Sequence, residues 1–182
     1  MVTTTRRVAT EKDLLAMPKD GQKYELVDRQ IRVSPAGDRH SVVALELASR
    51  MLAFVKQHEL GHVCGADAGF RLPSGNVRSP DASFVAAGRF RDGRVPDDYG
   101  SVAPDLAVEV LSPGDRPRYV LDKVGEYLEA GVRLVWVIDP RKARAVVYRS
   151  LSDVRELGPD DALDGEDVLP GFRCTLGEII SL

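Results

Sequence analysis

Two acidic residues, Asp81 and Glu109, are the strongest candidates for chemistry in this sequence. Glu109 lies within residues 105–111, a run that otherwise has the apolar character of a buried β-strand, and Asp81 opens a second strand-like run directly after Pro80. A carboxylate in a buried strand is costly to desolvate unless it is paired, protonated or bound to a metal. If the two strands are neighbours in one sheet, the two acids converge. The pair then predicts a divalent cation between them.

The chemistry of two converging carboxylates favours Mg²⁺, with Mn²⁺ as a substitute. Two ionised carboxylates about 4 Å apart repel each other by roughly 4 kcal/mol at the effective dielectric of a protein surface. A divalent cation removes this repulsion and gains the oxygen ligands that hard cations prefer. Asp81 and Glu109 are therefore predicted metal ligands.

A third candidate, Lys123, lies in a helical pattern that follows the Glu109 strand. At about 100° per residue, Lys123 falls about 40° outside the Tyr127 edge of the apolar arc of this helix. Its long aliphatic stem can lie along apolar surface and deliver the ammonium group to the sheet. The acidic residues on the opposite arc are expected to be solvated; they are Asp122, Glu126 and Glu129.

The elements of the N-terminal half follow from hydrophobic periodicity. Residues 24–27 and 30–33 flank Asp28-Arg29 in the manner of a β-hairpin. Residues 39–56 carry an apolar stripe with helical spacing, which predicts a long helix. We expect residues 62–64 and 68–72 to form a pair of strands, followed by the Asp81 strand.

The C-terminal half contains a strand–helix–strand pattern. The Glu109 strand is followed by a helix over about 117–130 and by a continuous apolar run at 132–138. This order is typical of a right-handed crossover, so the two strands are predicted to be parallel. Residues 143–148 are expected to return as a hairpin partner, and 154–157 as a short further strand. Capping-box spacings at Thr10 and Thr175 predict the starts of two short helices.

Composition limits the class of protein. The 182 residues, 43% of them hydrophobic, fit one globular domain over 1–182 with a sizeable core. The net charge of −3 weakens the case for avid, non-specific DNA binding without excluding a local basic groove. Cys64 and Cys174 form no cysteine pair or Cys/His cluster, so zinc is not expected.

Two free thiols suit a reducing compartment, and we expect the protein to be cytoplasmic. The N-terminal residues contain two arginines but no following apolar segment, so no secretory signal is predicted. No window approaches 18 uncharged apolar residues, and no membrane span is expected.

An ordered set of motifs carries a family resemblance that covers most of the chain. The segments are 24–27 (YELV), 80–85 (PDASFV), 105–113 (DLAVEVLSP), 123–127 (KVGEY) and 131–140 (GVRLVWVIDP). In this order they resemble the Uma-type putative restriction endonucleases, members of the PD-(D/E)XK nuclease-like superfamily. The resemblance implies an α/β, restriction-endonuclease-like core: a central mixed β-sheet flanked by helices, with an N-terminal hairpin and a long helix.

The resemblance also implies a Mg²⁺-dependent site that hydrolyses DNA phosphodiester bonds and leaves a 5′-phosphate. Asp81 would be the first motif acid and Glu109 the second, both as metal ligands. Leu111 stands where the superfamily has a lysine, and the family assigns that role to Lys123. Glu25 matches a glutamate that supports the metal or the water, and His40 matches a common histidine before the long helix. A homodimer is expected, since cutting two strands suits two-fold symmetry.

Each of these residues also has a structural explanation. Glu109 could pair with Arg133 at a sheet edge, Glu25 with Lys23 or Arg32, and Lys123 could be solvated. Asp81 could be an ordinary turn acid, and His40 a helix-start residue without catalytic duty. Arg89, Arg91 and Arg94 could contact a phosphate backbone or belong to a solvated loop. Trp136, in the most apolar run, is expected in the core.

Three functions remain open from the sequence. The first is a metal-dependent endonuclease that acts on DNA. The second is a catalytically weak or inactive module that keeps the nuclease fold for binding or regulation, which the acidic composition favours modestly. The third is a metal-dependent hydrolase of a smaller phosphoester.

Overall fold

A computed structural model describes residues 8–34, 37–90, 94–96, 99–100 and 102–181. The helices in these ranges are α1 (Glu11–Leu15), α2 (Asp38–Gln57), α3 (Pro117–Glu129) and α4 (Leu176–Ile180). The strands are β1 (Lys23–Val27), β2 (Gln30–Ser34), β3 (Gly61–Gly65), β4 (Phe70–Arg71), β5 (Val77–Arg78), β6 (Ala82–Ala86), β7 (Leu106–Val110), β8 (Leu134–Asp139), β9 (Arg144–Tyr148), β10 (Val154–Leu157), β11 (Ala162–Asp164) and β12 (Arg173–Thr175). Within the described part of the chain, no helix is both long and apolar enough to cross a membrane.

The central sheet has six strands in the order β10-β9-β8-β7-β6-β3. Its β7 and β8 are parallel, with Val108 opposite Trp136, and the other neighbours are antiparallel. The predicted strand–helix–strand crossover is therefore confirmed, and Trp136 is fully buried as expected. The sheet is mixed and flanked by helices, which confirms the predicted fold class.

The two faces of the central sheet bury different helices. Period-two alternation turns Leu106 and Val108 towards an apolar cluster that includes Leu47 and Met51 of α2. It turns Ala107 to the opposite face, where the apolar cluster includes Val124 of α3. Glu109 projects from the same face of β7 as Ala107, so its side chain lies beneath α3.

A second, smaller sheet lies beside this face, where Glu25 of β1 contacts Lys123 of α3. Its strand order is β2-β1-β5-β4, and all its pairs are antiparallel. The β1–β2 hairpin is confirmed, and its turn residues Asp28 and Arg29 have φ of 49° and 59°, as tight hairpin turns between twisted strands require. This sheet places Lys23 and Glu25 of β1 near the central sheet.

The predicted pairing of residues 62–64 with 68–72 is wrong. β3 pairs with β6 in the central sheet, while β4 pairs with β5 in the second sheet. Gly61 approaches the backbone of Val85 so closely that a Cβ would collide with its carbonyl oxygen. Phe70 packs instead into the apolar cluster on the α3 face. Periodicity identifies strands, but packing selects their partners.

The remaining predicted elements are present. α2 matches the predicted long helix, and β9 and β10 match the strands predicted over 143–148 and 154–157. Strands β11 and β12, which pair in a two-stranded sheet, were not predicted. Thr10 and Thr175 both form the expected capping boxes at the starts of α1 and α4.

Candidate active site

Asp81 and Glu109 lie on neighbouring strands of the central sheet. Ala82 of β6 is paired with Val108 of β7, and the amide of Asp81 donates to the carbonyl of Val108 at 2.9 Å. Extending this antiparallel register by one residue sets Asp81 opposite Glu109, and residues opposite each other project from the same face. Both side chains line one small cleft, together with His40 and Lys123. The structure thus brings the two predicted acids together.

The carboxylate of Asp81 is buried and has three donors. Its Oδ2 accepts from the amide of Val110 at 2.8 Å and lies 3.0 Å from Nε2 of His40. Its Oδ1 accepts from the ammonium of Lys23 at 2.7 Å. Burial alone would raise the pKa of Asp81, but the His40 hydrogen bond and the Lys23 charge outweigh it and hold this pKa well below its ordinary value. Asp81 is therefore ionised at neutral pH and can only accept hydrogen bonds. In the hydrogen bond between these two residues, Nε2 of His40 is accordingly the donor.

The carboxyl group of Glu109 has two donors, both from α3. Its Oε2 accepts from Nζ of Lys123 at 2.8 Å, and its Oε1 accepts from the hydroxyl of Tyr127 at 2.7 Å. Burial raises the pKa of Glu109; the charge of Lys123 opposes this, and that of Asp81 adds to it. Burial also raises the pKa of Tyr127 well above its ordinary value, so this hydroxyl remains a donor. The two acids of the cleft therefore differ in proton affinity.

Lys123 is buried between two carboxylates rather than solvated. Its Nζ lies 2.8 Å from Glu109 and 3.2 Å from Glu25. Burial would lower the pKa of Lys123, but the charges of the surrounding carboxylates, Glu109 first, raise it above its ordinary value. Lys123 is consequently an ammonium donor and not a base.

Glu25 lies behind Lys123 and does not line the cleft. Its Oε1 accepts from the amide of Ser79 at 2.8 Å, and its Oε2 lies 3.4 Å from the guanidinium of Arg78. Burial would raise the pKa of Glu25, but the charges of Lys123 and Arg78 lower it. Its ion-pair partners are thus Lys123 and Arg78, not the Lys23 or Arg32 considered from the sequence. In this arrangement Glu25 fixes the position of Lys123.

Arg78 is a central member of the site that sequence reasoning missed. Its side chain is 1% exposed, and its guanidinium donates to both carboxylate oxygens of Glu126 at 2.9 and 2.7 Å and to the hydroxyl of Tyr119 at 2.7 Å. The prediction that Glu126 is solvated is therefore wrong, because β5 brings Arg78 against this side of α3. Nothing in the local pattern around Arg78 indicates its burial.

Two other residues of the site were not predicted, although their spacing from predicted residues could have identified them. Tyr127 lies four residues after Lys123, so both project from one face of α3. Lys23 lies two residues before Glu25 on β1, so both project from one face of that strand. The expected contacts of other residues also differ, since Arg133 pairs with Asp167 and not with Glu109. Arg89 pairs with Asp105, Arg94 is exposed, and Arg91 lies outside the described residues.

The donor set of the cleft fits a hard divalent cation that keeps part of its water shell. Mg²⁺ is commonly held by one or two carboxylates, with waters and substrate phosphates completing the octahedron. Asp81 and Glu109 supply two such carboxylates at one mouth. Among the described residues, no group of three or more His, Cys, Asp or Glu side chains is arranged to enclose a metal. The residues therefore suit a cation shared with water and substrate, not an all-protein cage.

Comparison with known proteins identifies the family and the fold of this chain. The family model of Uma2, described as putative restriction endonuclease, matches residues 11–177. The crystal structure of a putative nuclease belonging to DUF820 from Anabaena variabilis ATCC 29413 superposes with a TM-score of 0.81 at 21% identity, covering 94% of this chain and 97% of that one. A search of curated proteins finds no match. Family and fold together support a nuclease function.

Proposed function

Since this chain belongs to the Uma2 family of putative restriction endonucleases, we propose that it is a Mg²⁺-dependent endonuclease that hydrolyses DNA phosphodiester bonds. Asp81 and Glu109 hold the metal, and Lys123 acts beside them. One observation carries the proposal: two carboxylates from neighbouring strands face one cleft, with a buried ammonium 2.8 Å from one of them.

Each residue of the site has a distinct task in this proposal. A bound Mg²⁺ would polarise the phosphate and supply an activated water. Lys123 stays protonated, so it donates hydrogen bonds and stabilises the negative charge that develops on the phosphoryl oxygens. Glu25 holds Lys123 in place from behind, and Tyr127 fixes the orientation of Glu109. His40 orients Asp81 through its Nε2 proton.

The test uses variants that keep size and remove charge. Asp81→Asn and Glu109→Gln are expected to lower the rate of plasmid cleavage by about three orders of magnitude, the scale of losing a central electrostatic group of an active site. Asp122→Asn, an exposed acid on α3, is the matched control and should cleave at the wild-type rate. Thermal unfolding checks that each variant is folded. Wild-type cleavage by either site variant would remove the assignment.

A binding or regulatory module without turnover is the second candidate. One observation favours it: Lys23 and Lys123 already neutralise Asp81 and Glu109, so the carboxylates are paired without a metal. Calorimetric titration of the wild-type protein with Mg²⁺ and Mn²⁺ separates the candidates, because absence of binding supports the module. Comparing plasmid DNA with a mononucleotide phosphoester as substrate then distinguishes a nuclease from a hydrolase of smaller phosphoesters.

A further inference from the structure

Lys23 is the cation in direct contact with the proposed metal ligand Asp81, and the role of this lysine is not explained by the site as described so far. It belongs to β1 of the second sheet, whereas Asp81 precedes β6 of the central sheet. Its Nζ lies 2.7 Å from Oδ1 of Asp81, and its side chain is 12% exposed. Lys23 thus connects the acid to the solvent side of the site.

The two oxygens of Asp81 are not equivalent. Oδ2 already accepts two hydrogen bonds, from the amide of Val110 and from His40. A carboxylate oxygen offers about two lone-pair positions, so Oδ2 has no capacity left. Oδ1 accepts from Lys23 and retains one position. The open lone-pair position of Asp81 for a metal ion is therefore on Oδ1, the oxygen that contacts the lysine.

A divalent cation and an ammonium group compete at one carboxylate oxygen. Placing them a few ångströms apart brings three positive charges together, and unit charges at about 4 Å already repel by roughly 4 kcal/mol near a protein surface. Asp81 would be shared between them, which weakens both contacts. The lower-energy arrangement separates the ammonium from Oδ1 once the metal binds.

The structure provides space for this displacement. Lys23 lines a groove of about 500 Å³ that runs along α2 and reaches Asp81, with Gln22, His40 and Ser41 among its walls. It also lines a second groove of about 450 Å³, between α1 and β1. The lysine stem has four carbons and a freely rotating ammonium head. A displaced ammonium can therefore enter either groove without rearrangement of the backbone.

We propose that Lys23 exchanges between two partners. In the metal-free protein its ammonium group neutralises Asp81. When the metal binds, the side chain rotates into the adjoining groove and binds a phosphate of the nucleic-acid substrate. This inference rests on the proposed function, because it takes Asp81 as a metal ligand. The effect of removing the ammonium group of Lys23 distinguishes this role from a purely structural one. Removing the ammonium should strengthen metal binding and weaken substrate binding at the same time.

Lys23→Met tests both effects, since methionine keeps much of the stem and removes the charge. Calorimetric titration with Mg²⁺ alone should show about tenfold tighter binding than the wild type, the scale of one lost competing charge. Binding of a short DNA oligonucleotide in Ca²⁺ should weaken about tenfold, and KM should rise while kcat changes little. Lys23→Arg keeps a cation and should return both affinities towards wild type.

Lys56→Met is the matched control, since this exposed lysine at the end of α2 lines none of the clefts described here and its loss changes net charge equally. It should leave Mg²⁺ affinity unchanged. Thermal unfolding verifies folding, and Lys23→Gln replaces the methionine variant if that variant does not fold. Unchanged or weaker Mg²⁺ binding by the folded Lys23 variant overturns this inference alone. A wild-type protein that binds no Mg²⁺ overturns both the inference and the proposed function.

Discussion

Two clusters of five charged residues each differ in how deeply they are buried. The buried cluster consists of Glu25, Arg78, Glu109, Lys123 and Glu126, between the two sheets and α3. The surface cluster consists of Arg133, Arg149, Arg155, Glu166 and Asp167, near the C-terminal strands. Side-chain exposure in the buried cluster runs from 1% for Arg78 to 19% for Glu126, whereas in the surface cluster it runs from 27% for Arg149 and Glu166 to 61% for Asp167.

The two clusters are expected to differ in how much stability is lost when one charged partner is removed. Solvent-exposed pairs contribute about 0–1 kcal/mol, because water replaces the missing partner. In the buried cluster, water cannot do so, and the remaining charge is left desolvated. A buried network of this kind is therefore weak evidence for stability, and it holds its charged groups in fixed positions. Its position beside the cleft of Asp81 and Glu109 is consistent with that use.

The largest expected effect follows from Arg78→Met. This change leaves the carboxylates of Glu25 and Glu126 without their shared guanidinium, and we expect the free energy of unfolding to fall by about 3–5 kcal/mol. Urea denaturation at pH 7 measures it. A loss below about 1 kcal/mol would mean that the buried cluster behaves like a surface one.

Lys123→Met is expected to follow, with a loss of about 3 kcal/mol at pH 7. Glu109 then lacks its ion-pair partner, although burial already raises its pKa and allows it to take up a proton in compensation. The double variant Lys123→Met/Glu109→Gln should therefore lose less than the sum of the two single variants, because it contains no unpaired carboxylate at this position. Additive losses in urea denaturation would contradict the pairing.

The dependence of stability on pH sharpens the comparison. The folded-state pKa values of Glu25 and Glu126 lie below their ordinary value of 4.5, chiefly because nearby cations outweigh burial. Their contribution to stability is complete above pH 4.5 and is lost as pH falls through the lowered pKa values. The urea midpoint should therefore drop as the pH falls below 4.5, and Glu126→Gln should reduce this drop. An unchanged drop in that variant would exclude Glu126 as a contributor.

The smallest effect is expected in the surface cluster. Arg149→Met removes contacts to Glu166 and Asp167, and the free energy of unfolding should fall by about 1 kcal/mol or less. Because these pairs are screened, the loss should shrink further in 0.5 M salt. A loss as large as that of Arg78→Met would show that exposure does not separate the two clusters.

Much of the fold could be predicted from local patterns. The sequence predicts the hairpin, the long helix, the parallel crossover and both capping boxes, because each depends on residues within one or two neighbouring elements. The strand pairing of residues 62–64 with 68–72 could not be predicted in the same way. Both segments are strands, but their partners are chosen by packing against Val85 and within the cluster around Phe70.

The sequence by itself determined that Asp81 and Glu109 are acids in apolar strands, and that Lys123 lies at the edge of an apolar helix face. Only the tertiary structure decided that Arg78 and Glu126 are joined, or that Lys23 occupies one oxygen of Asp81. These partners are separated by 48 and 58 residues. The spacing of charged residues in the sequence does not indicate which partner each will have at such separations. The two sheets and the helix pack closely and exclude water from these charges, and this desolvation determines which charges must pair.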